Sequence, residues 1–104
     1  MKKILVLHGP NLNLLGTREP SVYGSMSLIE LNQRLVDLGS ASGFEVHCAQ
    51  SNVEGELVNM LHEHGFDSDG IIFNPGGYTH TSVALRDAVS SIASPVLEVH
   101  ISHP

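Results

Sequence analysis

A chain of 104 residues, 41% of them hydrophobic, has room for one domain with a modest core and too much apolar content to stay disordered. Eleven acids against five bases give a formal charge of −6, and no basic run occurs, so neither the composition nor its pattern suits a nucleic-acid partner. No stretch approaches membrane-spanning length, the apolar part of the opening MKKILVL is too short for a secretion signal, and the single Cys48 rules out an intrachain disulfide, which fits a reducing cytoplasm.

The run Lys3 to His8 (KILVLH) reads as a buried strand. The next stretch, GPNLNLLGTREPSVYGSM from Gly9 to Met26, is too long for an ordinary connection in a strand-helix unit. Punctuated by Gly16, Pro20 and Gly24 and carrying Arg18 and Tyr23, it has the make-up of a lid or binding loop. Ser27 to Leu38 is predicted to be an amphipathic helix with Ser27 as N-cap, Glu30 completing a capping-box pattern and Gly43 marking the end.

Glu45 to Ala49 is a second strand, in which Cys48 reads as a small buried thiol. Glu54 to His64 is a second helix closed by Gly65, with His62 and His64 where cations suit the helix dipole. Gly70 to Asn74 is a third strand, Thr79 to Ser91 a third helix with Thr79 as N-cap, and Val96 to Ile101 a fourth strand opened by Pro95. Strict alternation of apolar strands with helices predicts an α/β fold: a flavodoxin-like, doubly wound parallel sheet with helices on both faces.

In the flavodoxin-like order 2-1-3-4, ligands bind at the carboxyl ends of strands one and three, where the crossovers diverge. Three distant segments then meet on one rim: Asn11, Arg18 and Tyr23 after strand one; Asn74, Tyr78 and His80 after strand three; Glu98, His100 and Ser102 along strand four. The stretch NPGGYTHTS allows close backbone approach at its two glycines, although a Gly-Gly pair before a helix is often only a turn. On this reading the start of the third helix offers N–H groups to an anion. Glu98 and His100 share one face of a strand while Leu97, Val99 and Ile101 take the other. A carboxylate beside an imidazole can fix its tautomer and favour the protonated ring.

The chain's two lysines, Lys2 and Lys3, open strand one at the opposite end, which speaks against a Schiff base, and Cys48 sits within a strand. Acid and base chemistry remains. A guanidinium near a phenol favours the phenolate, so Arg18 five residues from Tyr23 suits a tyrosine base that takes a proton next to a carbonyl. His100 then suits an acid that helps a hydroxyl to leave one carbon further on.

Together GPNLNLLGTREPSVYG, QSNVEGEL, NPGGYTHTSVALRD and LEVHIS resemble type II 3-dehydroquinate dehydratase, an enzyme family of the shikimate pathway, across nearly all of the chain. The resemblance implies anti elimination of water from 3-dehydroquinate through an enolate, no cofactor and no metal, and a dodecamer built as four trimers. It implies that Tyr23 is the base, that Arg18 lowers its pKa and stabilises the transition state, and that His100 is the acid with Glu98 as its partner. Asn11 would hold a water against the enolate, and Asn74 and His80 would bind substrate hydroxyls. The substrate carboxylate would lie on the backbone N–H groups of Ile101 and Ser102, in place of the third helix, and Asp87 would reach a neighbouring subunit's site.

After LEVHIS the family continues with an Asn, an Arg-containing helix and a final strand, whereas here His103 and Pro104 follow. The expectation is a single domain over residues 1–104 lacking its C-terminal strand and helix, part of a longer protein of about 140 to 150 residues. Three readings compete: the dehydratase; a non-catalytic domain, or inactive truncated form, that binds a small anion; and a zinc hydrolase using His80, Glu98, His100 and His103. Flavin binding and phosphoreceiver chemistry fit less well, since the loop after strand one has neither a hydroxyl-rich phosphate cradle nor a carboxylate at the strand end.

Overall fold

The computed structural model describes residues 1–17 and 25–100. Four strands, β1 (Lys2–His8), β2 (Phe44–Gln50), β3 (Gly70–Asn74) and β4 (Val96–Glu98), form one parallel sheet in the order β2-β1-β3-β4. The expected order and the doubly wound, flavodoxin-like architecture are therefore present. Three helices fill the crossovers: α1 (Leu28–Ala41), α2 (Glu54–His64) and α3 (Val83–Ser91).

The period of two along the strands sorts the side chains. Leu5 and Leu7 of β1 stand in register with Ile71 and Phe73 of β3. All four are buried with Leu57 and Leu61 of α2 and Leu85 and Ala88 of α3 in one core. Each fully buried leucine contributes about 1.5–3 kcal/mol relative to an exposed one. The other face is covered by α1, whose half-buried residues Leu28, Leu31, Asn32, Leu35 and Gly39 recur at helical spacing. A Cβ at Gly39 would collide with Val46 of β2, so glycine lets the helix lie close to the strand.

Local signals explain most element ends. Ser27 caps α1, its Oγ accepting from the Glu30 N–H at 3.2 Å. Gly43 takes φ +88° just beyond that helix, and α2 ends at Gly65 as expected.

The third helix starts at Val83 rather than Thr79. Gly76, at φ +59°, opens a 3-10 turn over Gly76–Tyr78, and the Thr79 hydroxyl donates to the Gly76 carbonyl at 2.6 Å. Ser82 is the N-cap: its Oγ accepts from Leu85 N–H at 3.0 Å and donates to Glu54 Oε2 at 2.5 Å. The start of α3 is thus occupied by its own cap and an acid from α2, which removes it as the anion site read from the sequence. Strand β4 is also shorter than the expected Val96–Ile101, although Val99 N–H still donates to Phe73 O at 2.9 Å. Ile101 lies outside the described residues.

Candidate active site

Because all four strands are parallel, their carboxyl ends share one rim. Gly9 N–H donates to Asn74 O at 2.8 Å, joining the turn after β1 to the end of β3. A Cβ at Gly9 would come within 2.7 Å of the Pro75 backbone, so glycine sets this close approach. Asn74 is 5% exposed, and its Oδ1 accepts from Gly76 N–H at 3.0 Å. Its amide NH2 is then the group with which it can meet a ligand.

Asn11 follows at φ 70° and ψ −4°, the one non-glycine residue in the left-handed region among those described. Asparagine tolerates this conformation better than most residues. It precedes a 3-10 turn over Leu12–Leu14 yet makes no side-chain capping bond, so its amide is not spent on the backbone it precedes.

On the far side of β3, Glu98 Oε1 lies 3.3 Å from His100 Nε2, as the alternation along strand four predicts. The other ring nitrogen, Nδ1, is 3.5 Å from Thr79 Oγ1. That hydroxyl gives its proton to Gly76 O, so towards the ring it can act as acceptor. The imidazole therefore has an oxygen at each nitrogen, which orients it and suits it to carry and deliver a proton. The pair is open to a ligand, with side chains 43% exposed for His100 and 52% for Glu98.

His80 is exposed in the loop before α3, and Asp87 is exposed on α3. Tyr78, expected on the rim, packs against the core and also lines a pocket there with Thr79 and Glu98. Arg18, Tyr23, Ile101 and Ser102 lie outside the described residues, as does His103. Among the described residues no three His, Cys, Asp or Glu side chains are grouped to hold a metal ion, so His80, Glu98 and His100 do not by themselves form a zinc site, and His103, the other residue of the zinc reading, lies outside the described residues. No helix among the described residues is long and apolar enough to cross a membrane.

Sequence reasoning missed the end of β2. Gln50 and Asn52 stand against the Gly9–Asn11 turn, Gln50 Nε2 donating to Gly9 O at 3.2 Å and Asn52 Oδ1 accepting from Asn11 N–H at 2.9 Å. The signal was the polar triplet Gln-Ser-Asn closing a strand whose end must share the rim. Thr79, taken for a helix cap, was missed as a neighbour of His100.

His8 was also passed over. It is 4% exposed and its Nε2 lies 2.9 Å from Asn32 Oδ1 on α1. Burial lowers its pKa from the usual 6.5, the bond to Asn32 opposing more weakly. The folded state therefore favours the neutral ring, and its stabilising contribution is present above pH 6.5 and is lost as pH falls from there towards the folded-state value. Thermal melts between pH 7.5 and 5 are expected to show this loss, and His8→Gln, which keeps a donor and does not titrate, should flatten the profile in that window. Cys48 is half-buried, and burial pushes its thiol above the usual value, away from a reactive thiolate.

The fold and rim define the chain as a flavodoxin-like α/β protein with a polar site at the carboxyl edge of its sheet, where a carboxylate and an imidazole are paired. The family model of class II dehydroquinases matches residues 2–104. A 3-dehydroquinate dehydratase from Pelotomaculum thermopropionicum is 60% identical over 101 residues, covering 97% of this chain and 70% of that protein. One from Legionella pneumophila strain Corby is 56% identical over 104 residues, covering 99% of this chain and 72% of that protein. The crystal structure of a type II dehydroquinase from Butyrivibrio crossotus superposes with a TM-score of 0.93 at 45% identity, covering 97% of this chain and 71% of that one. The chain belongs to the class II dehydroquinase family.

Proposed function

We propose that this chain acts as a 3-dehydroquinate dehydratase of the shikimate pathway, removing water from 3-dehydroquinate by anti elimination. The observation that carries the reading is the Glu98–His100 pair, 3.3 Å apart on the same sheet rim as Asn11 and Asn74, within a class II dehydroquinase fold.

In this mechanism Tyr23, as phenolate beside Arg18, takes the proton next to the ketone, and the electrons pass into an enolate. Asn11 holds a water against the enolate oxygen through an amide that its own turn does not use. As the enolate collapses, the carbon–oxygen bond to the departing hydroxyl breaks. His100, oriented by Glu98 and Thr79, delivers the proton that makes that hydroxyl water. Asn74 and His80 bind substrate hydroxyls, and the N–H groups of Ile101 and Ser102 take the carboxylate. Asp87, exposed on α3, reaches the site of a neighbouring subunit in a dodecamer of four trimers, and the enzyme works in the cytoplasm.

Formation of the conjugated enone product gives a direct test by ultraviolet absorbance. Turnover is expected to survive chelators, and borohydride added with substrate should not trap a lysine adduct, since Lys2 and Lys3 lie at the amino end of β1. Absence of turnover would favour the non-catalytic anion-binding reading. Loss of activity to either reagent would overturn the cofactor-free enolate route.

A further inference from the structure

We infer that Asn52, supported by Gln50, is a positioning residue that holds Asn11 in its left-handed conformation and thereby aims the Asn11 amide into the site. The inference rests on the dehydratase reading for what Asn11 does there, and on this chain's hydrogen bonds for how Asn11 is held.

The turn after β1 is gripped at both ends of a three-residue segment. The Gly9 carbonyl accepts from Gln50 Nε2 at 3.2 Å, and the Asn11 N–H donates to Asn52 Oδ1 at 2.9 Å. Gln50 Nε2 also donates to Asn52 Oδ1 at 3.0 Å, so one side chain braces the other. Both amide hydrogens of Gln50 are thus used, and Asn52 Oδ1 accepts twice.

Strand pairing brings this brace to the turn. His8, the last residue of β1, is in register with Gln50 of β2, and Ser51 N–H donates to His8 O at 3.0 Å. Asn52 is therefore carried past the end of the ladder to a place beside Asn11. Between the two grips lies Pro10, whose ring fixes its own φ, so the segment has few ways to turn.

The left-handed conformation is unfavourable for a side-chain-bearing residue and persists where its surroundings over-determine it. Here the surroundings are the Asn52 acceptor on the N–H of Asn11 and the close packing of Gly9 on Pro75. Without the acceptor, Asn11 is free to return to ordinary backbone angles, and its amide then swings away from the reacting atoms. Misplacement of a positioning group by about 1 Å can cost on the order of 100-fold in rate.

Steady-state kinetics on purified wild type and variants test this. Asn52→Ala is expected to lower kcat about 10- to 100-fold with a KM change under about threefold and a nearly unchanged melting temperature. Asn52→Asp keeps an oxygen acceptor for both donors and should recover kcat to within about threefold, its added charge acting on KM for an anionic substrate. The double variant Asn11→Ala, Asn52→Ala should be no slower than Asn11→Ala alone, because Asn52 acts through Asn11. Wild-type kcat in Asn52→Ala, additive losses in the double variant, or an Asn52→Asp as impaired as the alanine would each overturn the inference. If the wild type itself has no turnover, the dehydratase reading fails on its own. The brace is then judged by the crystal structure of Asn52→Ala, where an Asn11 that keeps its positive φ would refute it and one that leaves that region would support it.

Discussion

Replacing Tyr23 with phenylalanine is expected to lower kcat at least about 100-fold while leaving substrate affinity and stability nearly unchanged, since a general base typically supplies a factor of about 10²–10⁴. The change removes one hydroxyl oxygen and keeps the ring. The proposed assignment rests on the motif GTREPSVYG, which puts Arg18 five residues before Tyr23, and on the rim, where Glu98 and Thr79 orient the His100 ring proposed as the acid. An elimination needs a base as well as an acid, and both lysines lie at the other end of the sheet. Single-turnover and steady-state rates with wild type and Tyr23→Phe, together with binding of a non-reacting anion, separate loss of chemistry from loss of binding. A variant retaining more than about a tenth of the wild-type rate would require a different base.

The second large effect is expected from Gly9→Ala. A Cβ there would meet Pro75 C and O at 2.7 Å and Asn74 O at 2.8 Å. These are backbone atoms of a buried turn, so they cannot move aside as a flexible side-chain tip would. The turn after β1 must instead part from the end of β3, weakening the Gly9–Asn74 bond and displacing Asn11 relative to Asn74 and His100. Overpacking of this kind costs about 1–3 kcal/mol of stability. The displacement should lower kcat by a further factor on the order of 100. Gly55→Ala is the contrast: it lies exposed in α2 with nothing within 4 Å of an added Cβ, and should stabilise the fold by about 0.5–1 kcal/mol. Equal melting temperatures and rates for Gly9→Ala and wild type would show that the two turns are not locked together as the geometry requires.

Much of the architecture was legible in the chain because its signals are local. Ser27 and Glu30 mark the start of α1, Gly65 ends α2, and the apolar runs of β1 and β3 announce strands buried on both faces. The Glu98–His100 pair was legible for the same reason, since residues two apart on an extended chain lie on one side. The third helix was misplaced where two local signals compete. Thr79 and Ser82 are both competent caps, and the left-handed Gly76 turns the chain into a 3-10 segment that spends the Thr79 hydroxyl first.

By itself, then, the sequence determined the order of strands and helices and most of their bounds, and which acid and imidazole stand together at the end of strand four. Only the tertiary structure decided that Asn52 braces Asn11, that Asn32 meets the buried His8, and that Thr79 comes to His100 from 21 positions away. The physical reason is register. Alternation along one strand is set by its own backbone, but which residue faces which across two parallel strands depends on how the whole strands pair, as with His8 against Gln50 on one side and Asn74 on the other. That pairing is fixed by packing Leu5, Leu7, Ile71 and Phe73 against α2 and α3, an interaction summed over the entire core that no short stretch of the chain contains.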